Sequence, residues 1–174
     1  MEKLNKEFFA RDSREVGFDL VGKLLVRNYN GMQLSGVISQ VDAYSMIEAK
    51  EGKKNQGAFY APSMIHMFPC QGKYMLAIST LARGVYNEIL IRKVIPYEGI
   101  ETMKKLRGNN LESALTDGPG KIVQAFGLDV SFDGKSLVDE QTNLGIVGHL
   151  KGTRVSKKSG AISSKDFVGR FELV

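Results

Sequence analysis

The sequence predicts an α+β fold in which a curved antiparallel sheet, closing only partway toward a barrel, is flanked by short helices. Three observations predict it. Two apolar runs meet at Asn30-Gly31, the dipeptide that a type I′ hairpin turn favours because both of its central residues need positive φ. Two more runs, Lys73 to Thr80 and Val85 to Ile95, are separated by Ala82-Arg83-Gly84, enough for a tight turn between antiparallel partners. The helical signals between and around these strands are all short.

Taken in order, Asp12 and Ser13 are good N-cap types and precede Val16 and Leu20, four apart on one helix face, so a helix is expected to Leu20. Gly22 to Tyr29 and Leu34 to Tyr44 form the first hairpin. Ser45 to Pro62 carries small and charged residues without a steady period and predicts an exposed loop. After the second pair of strands, Ile100, Met103 and Leu106 recur at three-residue steps in a helix over Gly99 to Arg107. Gly118-Pro119 opens another that closes at Gly127, with proline in the first turn, where its missing N–H costs nothing. Beyond Asp133 a brief helix and three weak strands, near Gly145, Arg154 and Phe167, are expected.

The chain has 174 residues, so one domain over residues 1–174 is expected, since chains of this size bury roughly 70% of their unfolded surface around one core. Hydrophobic residues make up 43% and charged residues 25%, a balance that excludes a disordered or fibrous chain. No run approaches the ~20 apolar residues of a membrane span, and the charged start, Met1 to Lys6, lacks the core of a signal peptide. A cytoplasmic protein without membrane contact is therefore expected. A single cysteine, Cys70, permits no internal disulfide, and with two histidines neither a metal site nor a cofactor is expected. Twenty-four Lys and Arg against 19 Asp and Glu give +5 and a pI near 9.3, which favours an anionic partner without naming it. Nothing points to a protein partner, and a monomer is expected.

Read together, several stretches resemble one family. They are Phe8-Phe9-Ala-Arg11 with Asp19 to Arg27, then Gly36-Val-Ile-Ser-Gln-Val-Asp-Ala-Tyr44, and Ile89 to Arg107. Gly118 to Phe126 follows, and fainter echoes lie in Thr153-Arg-Val155 and Arg170-Phe171. The pattern is similar to the alkyladenine (3-methylpurine) DNA glycosylases. That resemblance implies an α+β fold like the C-terminal domain of formyltransferases and binding of double-stranded DNA carrying damaged purines on one positive face. It also implies base flipping and metal-free hydrolysis of the N-glycosidic bond at the start of base excision repair.

Hydrolysing that bond needs a water aligned with the anomeric carbon and a carboxylate to take its proton. By the resemblance Asp42 is that carboxylate. The family residue is Glu, so here the acid is shorter by about 1.5 Å, one carbon–carbon bond. Arg92 matches an arginine that orients water or holds phosphate, and Tyr44 a tyrosine that stacks the flipped base. The residue types alone equally suit a turn-capping aspartate, a sheet-surface arginine and a core tyrosine.

The lesion pocket departs from the family. The loop after the catalytic strand contains no histidine, and the tyrosine-rich strand is replaced by Met64-Ile-His-Met-Phe-Pro-Cys-Gln-Gly72. His66 or Phe68 can supply an aromatic wall, and Met67 or Phe68 the wedge that fills the gap left by the base, although core packing also fits all three. Ala77 stands where the family carries asparagine, removing a donor. Phosphate contacts are expected from Lys53, Lys54, Lys104, Lys105, Arg107, Lys121, Arg154, Lys157 and Lys158. The alternative reading is a nucleic-acid-binding protein on the same fold that recognises distorted DNA or RNA with little or no turnover.

Overall fold

A computed structural model describes residues 2–45, 60–84, 86–150, 156–160 and 167–174. Four helices, α1 (Lys6–Phe9), α2 (Ser13–Leu20), α3 (Ile100–Arg107) and α4 (Pro119–Ala125), accompany an eight-stranded antiparallel sheet. Its strands are β1 (Lys23–Tyr29), β2 (Met32–Ser45), β3 (Ile65–Cys70), β4 (Lys73–Ser79), β5 (Asn87–Glu98), β6 (Leu144–His149), β7 (Lys157–Gly160) and β8 (Phe167–Leu173). The main path runs β3-β4-β5-β2-β1-β6, and β8 joins β2 to β7. No helix of the described residues is long and apolar enough to cross a membrane.

The long strand β2 organises the sheet. On one edge it pairs with β5 along its length; on the other its first half takes β1 and its second half takes β8. One edge can serve two strands because β2 bends, with register shifts at Ser35/Gly36, Ile38/Gln40 and Gln40/Val41. Each leaves an extra residue unpaired, and such bulges bend and twist a strand. Between β1 and β2, Asn30 and Gly31 both have positive φ, 49° and 80°, as a type I′ turn requires.

The apolar face of the sheet carries Val41, Ala43, Ile65, Leu76, Ile78, Ile89 and Ile91, all fully buried, and packs in one cluster with Phe9, Val16, Leu20, Met103, Ile122 and Phe126 from the helices. Asp12 caps α2, its carboxylate accepting from the Arg14 N–H at 2.9 Å. Gly17 allows α2 to lie close on the sheet: a Cβ there would sit 3.1 Å from the Phe171 ring.

Two expectations change, and others fall outside the described residues. The strand expected to end at Ile95 runs on through Pro96 to Glu98, because Pro96 faces Gly36 beside a bulge. The brief helix expected beyond Asp133 is replaced by a 3-10 turn before it, Val130–Phe132, and the next residues turn back so that Ser136 bridges Met64. The strand near Arg154, most of the Ser45 to Pro62 loop, and with them Lys53, Lys54 and Arg154, lie outside the described residues.

Candidate active site on the polar face of the sheet

Strand alternation places every second residue on the face away from the core, and the register lines these residues up. His66 on β3 faces Ala77 on β4, Ala77 faces Leu90 on β5, Leu90 faces Asp42 on β2, and Asp42 faces Arg170 on β8. One row across five strands thus contains three of the residues picked out in the sequence. Tyr44 lies in the next row, opposite Glu88. From His66 to Asp42 the backbone spans about 14 Å, three strand spacings of roughly 4.8 Å.

Asp42 is 1% exposed. Its Oδ1 accepts from Arg170 Nε at 2.7 Å and its Oδ2 from Arg170 Nη2 at 2.9 Å, a two-pronged ion pair. Arg92 Nη1 stands 3.5 Å from Oδ2. A bulge aims Arg92 there: pairing steps from Gln40↔Lys93 to Val41↔Ile91, leaving Arg92 as the extra residue of β5. The Arg92 Nε is buried and has no hydrogen-bond partner among the described residues. A hydrogen bond from its own guanidinium to Asp42 raises the Arg170 pKa, against some desolvation. Burial first, then the negative charge of Asp42, pushes the Tyr44 phenol up, so it stays a neutral O–H.

At the other end of the row His66 is 4% exposed, and its Nδ1 lies 2.6 Å from Glu88 Oε1. Tyr60 and Phe68 meet its ring edge-on, with centroids 5.5 and 5.9 Å away. Burial favours the neutral ring, but the bond to Glu88 and the charges of Glu88 and Asp133 outweigh it and raise the His66 pKa. Tyr60 donates to Asp133 at 2.6 Å; burial and that bond push its phenol up to about 12.

The structure separates the two wedge candidates. Met67 points into the core, 3% exposed, and its N–H donates to Asp133 at 2.8 Å. Phe68, one residue on, points the other way and is 42% exposed. Ala77 lies in the row floor beside Leu90, 3% and 7% exposed.

The basic residues among the described ones do not share one face. Lys104, Lys105 and Arg107 sit on α3 and Lys121 on α4, in the helix layer. Lys104 pairs with Glu101 at 2.6 Å, Lys121 with Asp117 at 2.7 Å, and Arg107 donates to Gln124. Lys157 donates to the Phe18 carbonyl at 2.7 Å and lies over the Phe18 ring, whereas Lys158 turns to Glu172 at 2.9 Å.

Sequence reasoning missed Arg170 and Glu88 as partners. Glu88 had a signal: it alternates with Leu90 and Arg92 inside an apolar run, as a polar-face residue of a buried strand does. Arg170 had none beyond its place in a short echo, because its partner lies 128 residues away in sequence.

In class, then, this is an α+β protein whose polar sheet face carries a buried carboxylate held between two arginines, a set suited to acid–base work beside an anionic ligand. The chain belongs to the methylpurine-DNA glycosylase family, whose model matches residues 7–169. It is 33% identical over 145 residues to a protein of Chlorobium phaeobacteroides, covering 78% of this chain and 74% of that one. A relative from Carboxydothermus hydrogenoformans is 35% identical over 141 residues, covering 77% and 74%. Both bear the name "Putative 3-methyladenine DNA glycosylase".

Proposed function

We propose that this protein is a monofunctional glycosylase that takes a damaged purine out of double-stranded DNA and hydrolyses its bond to deoxyribose, with Asp42 as general base. The observation that carries this reading is the buried Asp42 carboxylate in the middle of the polar face, bracketed by Arg170 and Arg92 and beside an unpaired Arg92 N–H. A desolvated carboxylate can accept a proton from water, and a buried donor without a partner among the described residues can serve an acceptor such as that water's oxygen. As water attacks the anomeric carbon, its proton passes to Asp42, the C–N bond breaks, and the bonding electrons leave with the base.

Ala77 and Leu90, both buried, make the stretch of the row between His66 and Asp42 apolar, which suits a purine ring better than a polar stretch would. Tyr44 stands in the next row at the Asp42 end, where its ring is our candidate to stack on a flipped base, while His66 and Phe68 lie at the other end of the row; stacking on one aromatic contributes ~1–3 kcal/mol per base. Phe68 is exposed on the β3–β4 hairpin, and that exposure supports it as the apolar side chain that fills the vacated step. With alanine at position 77 no side-chain donor reads the base from the floor, so the pocket favours shape and stacking over hydrogen-bond discrimination.

Single-turnover release of 3-methyladenine, 7-methylguanine and hypoxanthine from labelled duplex DNA tests the proposal, with wild type and Asp42→Asn measured in parallel. Loss of the base should slow release by about 100-fold or more, within the usual range for general-base catalysis, while DNA affinity stays nearly unchanged. Equal release by both proteins sinks the assignment. Binding without release by the wild type makes this a protein that reads distorted nucleic acid without cutting it.

A further inference from the structure

Both oxygens of Asp42 are held by a residue that arrives from the far end of the sequence. Asp42 and Arg170 are direct cross-strand partners on β2 and β8, with bonds of 2.7 and 2.9 Å, and the aspartate side chain is 2% exposed. The neighbours of Arg170 lock it in place. Phe171 turns to the opposite face and packs in the core against α2, with Gly17 accommodating its ring. Glu172 returns to the polar face, where it accepts from Gln40 at 2.6 Å and pairs with Lys158. A slip of one residue would bury Arg170 and expose Phe171, so the register of β8 is strongly specified. Arg170 also lies one residue beyond the stretch matched by the family model.

We propose that Arg170 is the positioning residue of this site: its guanidinium fork, delivered by β8, fixes the plane of the Asp42 carboxylate so that a free lone pair faces the attacking water. The proposal rests on the reading of Asp42 as the base. A carboxylate offers about four acceptor sites; Arg170 takes one on each oxygen and the Tyr44 phenol hydrogen-bonds to Asp42 as well, which leaves a site for water. The fork holds both oxygens at once, so the carboxylate cannot rotate about its own bond. Arg92, at 3.5 Å and on one oxygen only, imposes no such constraint. Geometry matters here because a misplacement of about 1 Å at a reacting group can cost about 100-fold in rate.

Four variants, Asp42→Asn, Arg170→Gln, Arg170→Lys and the double Asp42→Asn/Arg170→Gln, would be compared in single-turnover base release at saturating DNA, with urea midpoints measured alongside. Arg170→Gln should slow release about 100-fold at unchanged DNA affinity. Arg170→Lys keeps the charge without the fork and should recover part of the rate. The double variant should be no slower than Asp42→Asn, because a residue that acts through Asp42 has nothing left to position. If Arg170→Gln folds poorly, Arg170→Lys decides alone: release slower than wild type supports the fork, and the wild-type rate overturns it. A folded Arg170→Gln that releases bases at the wild-type rate overturns the proposal while leaving Asp42 as base. So does a double variant far slower than Asp42→Asn. Normal release by Asp42→Asn overturns the reading of Asp42 and the proposal with it.

Discussion

A histidine ring and a carboxylate removed from water together lose hydration on both sides, and only a short bond in good geometry offsets that loss. His66 and Glu88 meet this condition at 2.6 Å, with Tyr60 and Asp133 completing the charged and titratable surroundings of the ring. The His66 pKa is raised in the folded chain relative to its ordinary 6.5, so the sign is settled. The stabilisation is fully present below about pH 6.5, where the ring is protonated in both states, and is lost as pH rises through the higher folded value. His66→Gln should therefore lower stability by about 2 kcal/mol at pH 6, the scale of a hydrogen bond to a charged group, and by less at pH 9. Urea midpoints of wild type and variant across that range check it. A gap that stays constant or widens toward alkaline pH would show that the ring is neutral in the folded protein.

At the scale of elements, the bends in β2 decide which side chains meet. Gly36 sits at the first of them, where β2 and β5 approach so closely that a Cβ would fall 2.7 Å from the Ile95 carbonyl oxygen and collide with Val94. Backbone cannot yield as a flexible side chain can. Gly36→Ala should thus cost about 1–3 kcal/mol, the usual range for overpacking, with the loss visible as a lower urea midpoint at unchanged slope. A neutral result would mean that β5 yields at this first bulge and that the close approach of the two backbones is not needed there. The same strand shows what the sequence revealed and why. Its turn at Asn30-Gly31 and its alternation were legible because they depend on local chemistry and a period of two, whereas Asp42 was picked out only through the family resemblance. The bulge that aims Arg92 was not, because extra residues are defined only by a partner strand. Met67 and Phe68 could not be told apart in the sequence for a related reason: both suit an apolar strand, and only the β3–β4 register decides which faces the core. The brief helix beyond Asp133 failed because the segment is held by long-range bonds, Leu137 N–H to Ser63 and Ile65 N–H to Lys135, that no local propensity records.

For the whole molecule the question is where a polyanion would lie, since the net charge of +5 gives attraction without direction. The basic residues divide between the helix layer and the two faces of β7–β8, so no single face holds them all among the described residues. One edge does bring two cations together. The tip of the β3–β4 hairpin abuts the start of α4, where a Cβ on Gly120 would lie 3.2 Å from Lys73 and where Lys121 follows. Phe68 is exposed on the same hairpin. The Lys121–Asp117 pair is 38% and 44% exposed, and a surface pair of this kind, worth about 0–1 kcal/mol, gives way readily to a phosphate. Lys157 is committed elsewhere, its ammonium held by the Phe18 carbonyl and ring. If DNA runs along the hairpin edge, Lys73→Ala and Lys121→Ala should each reduce the slope of log affinity against log salt concentration by about 0.9, the change expected when one fewer phosphate is neutralised. Lys157→Ala should leave the slope as it is. Titrations at three or more salt concentrations measure both, and the reverse pattern would move the duplex across β7–β8, away from Phe68 and toward the strand that delivers Arg170.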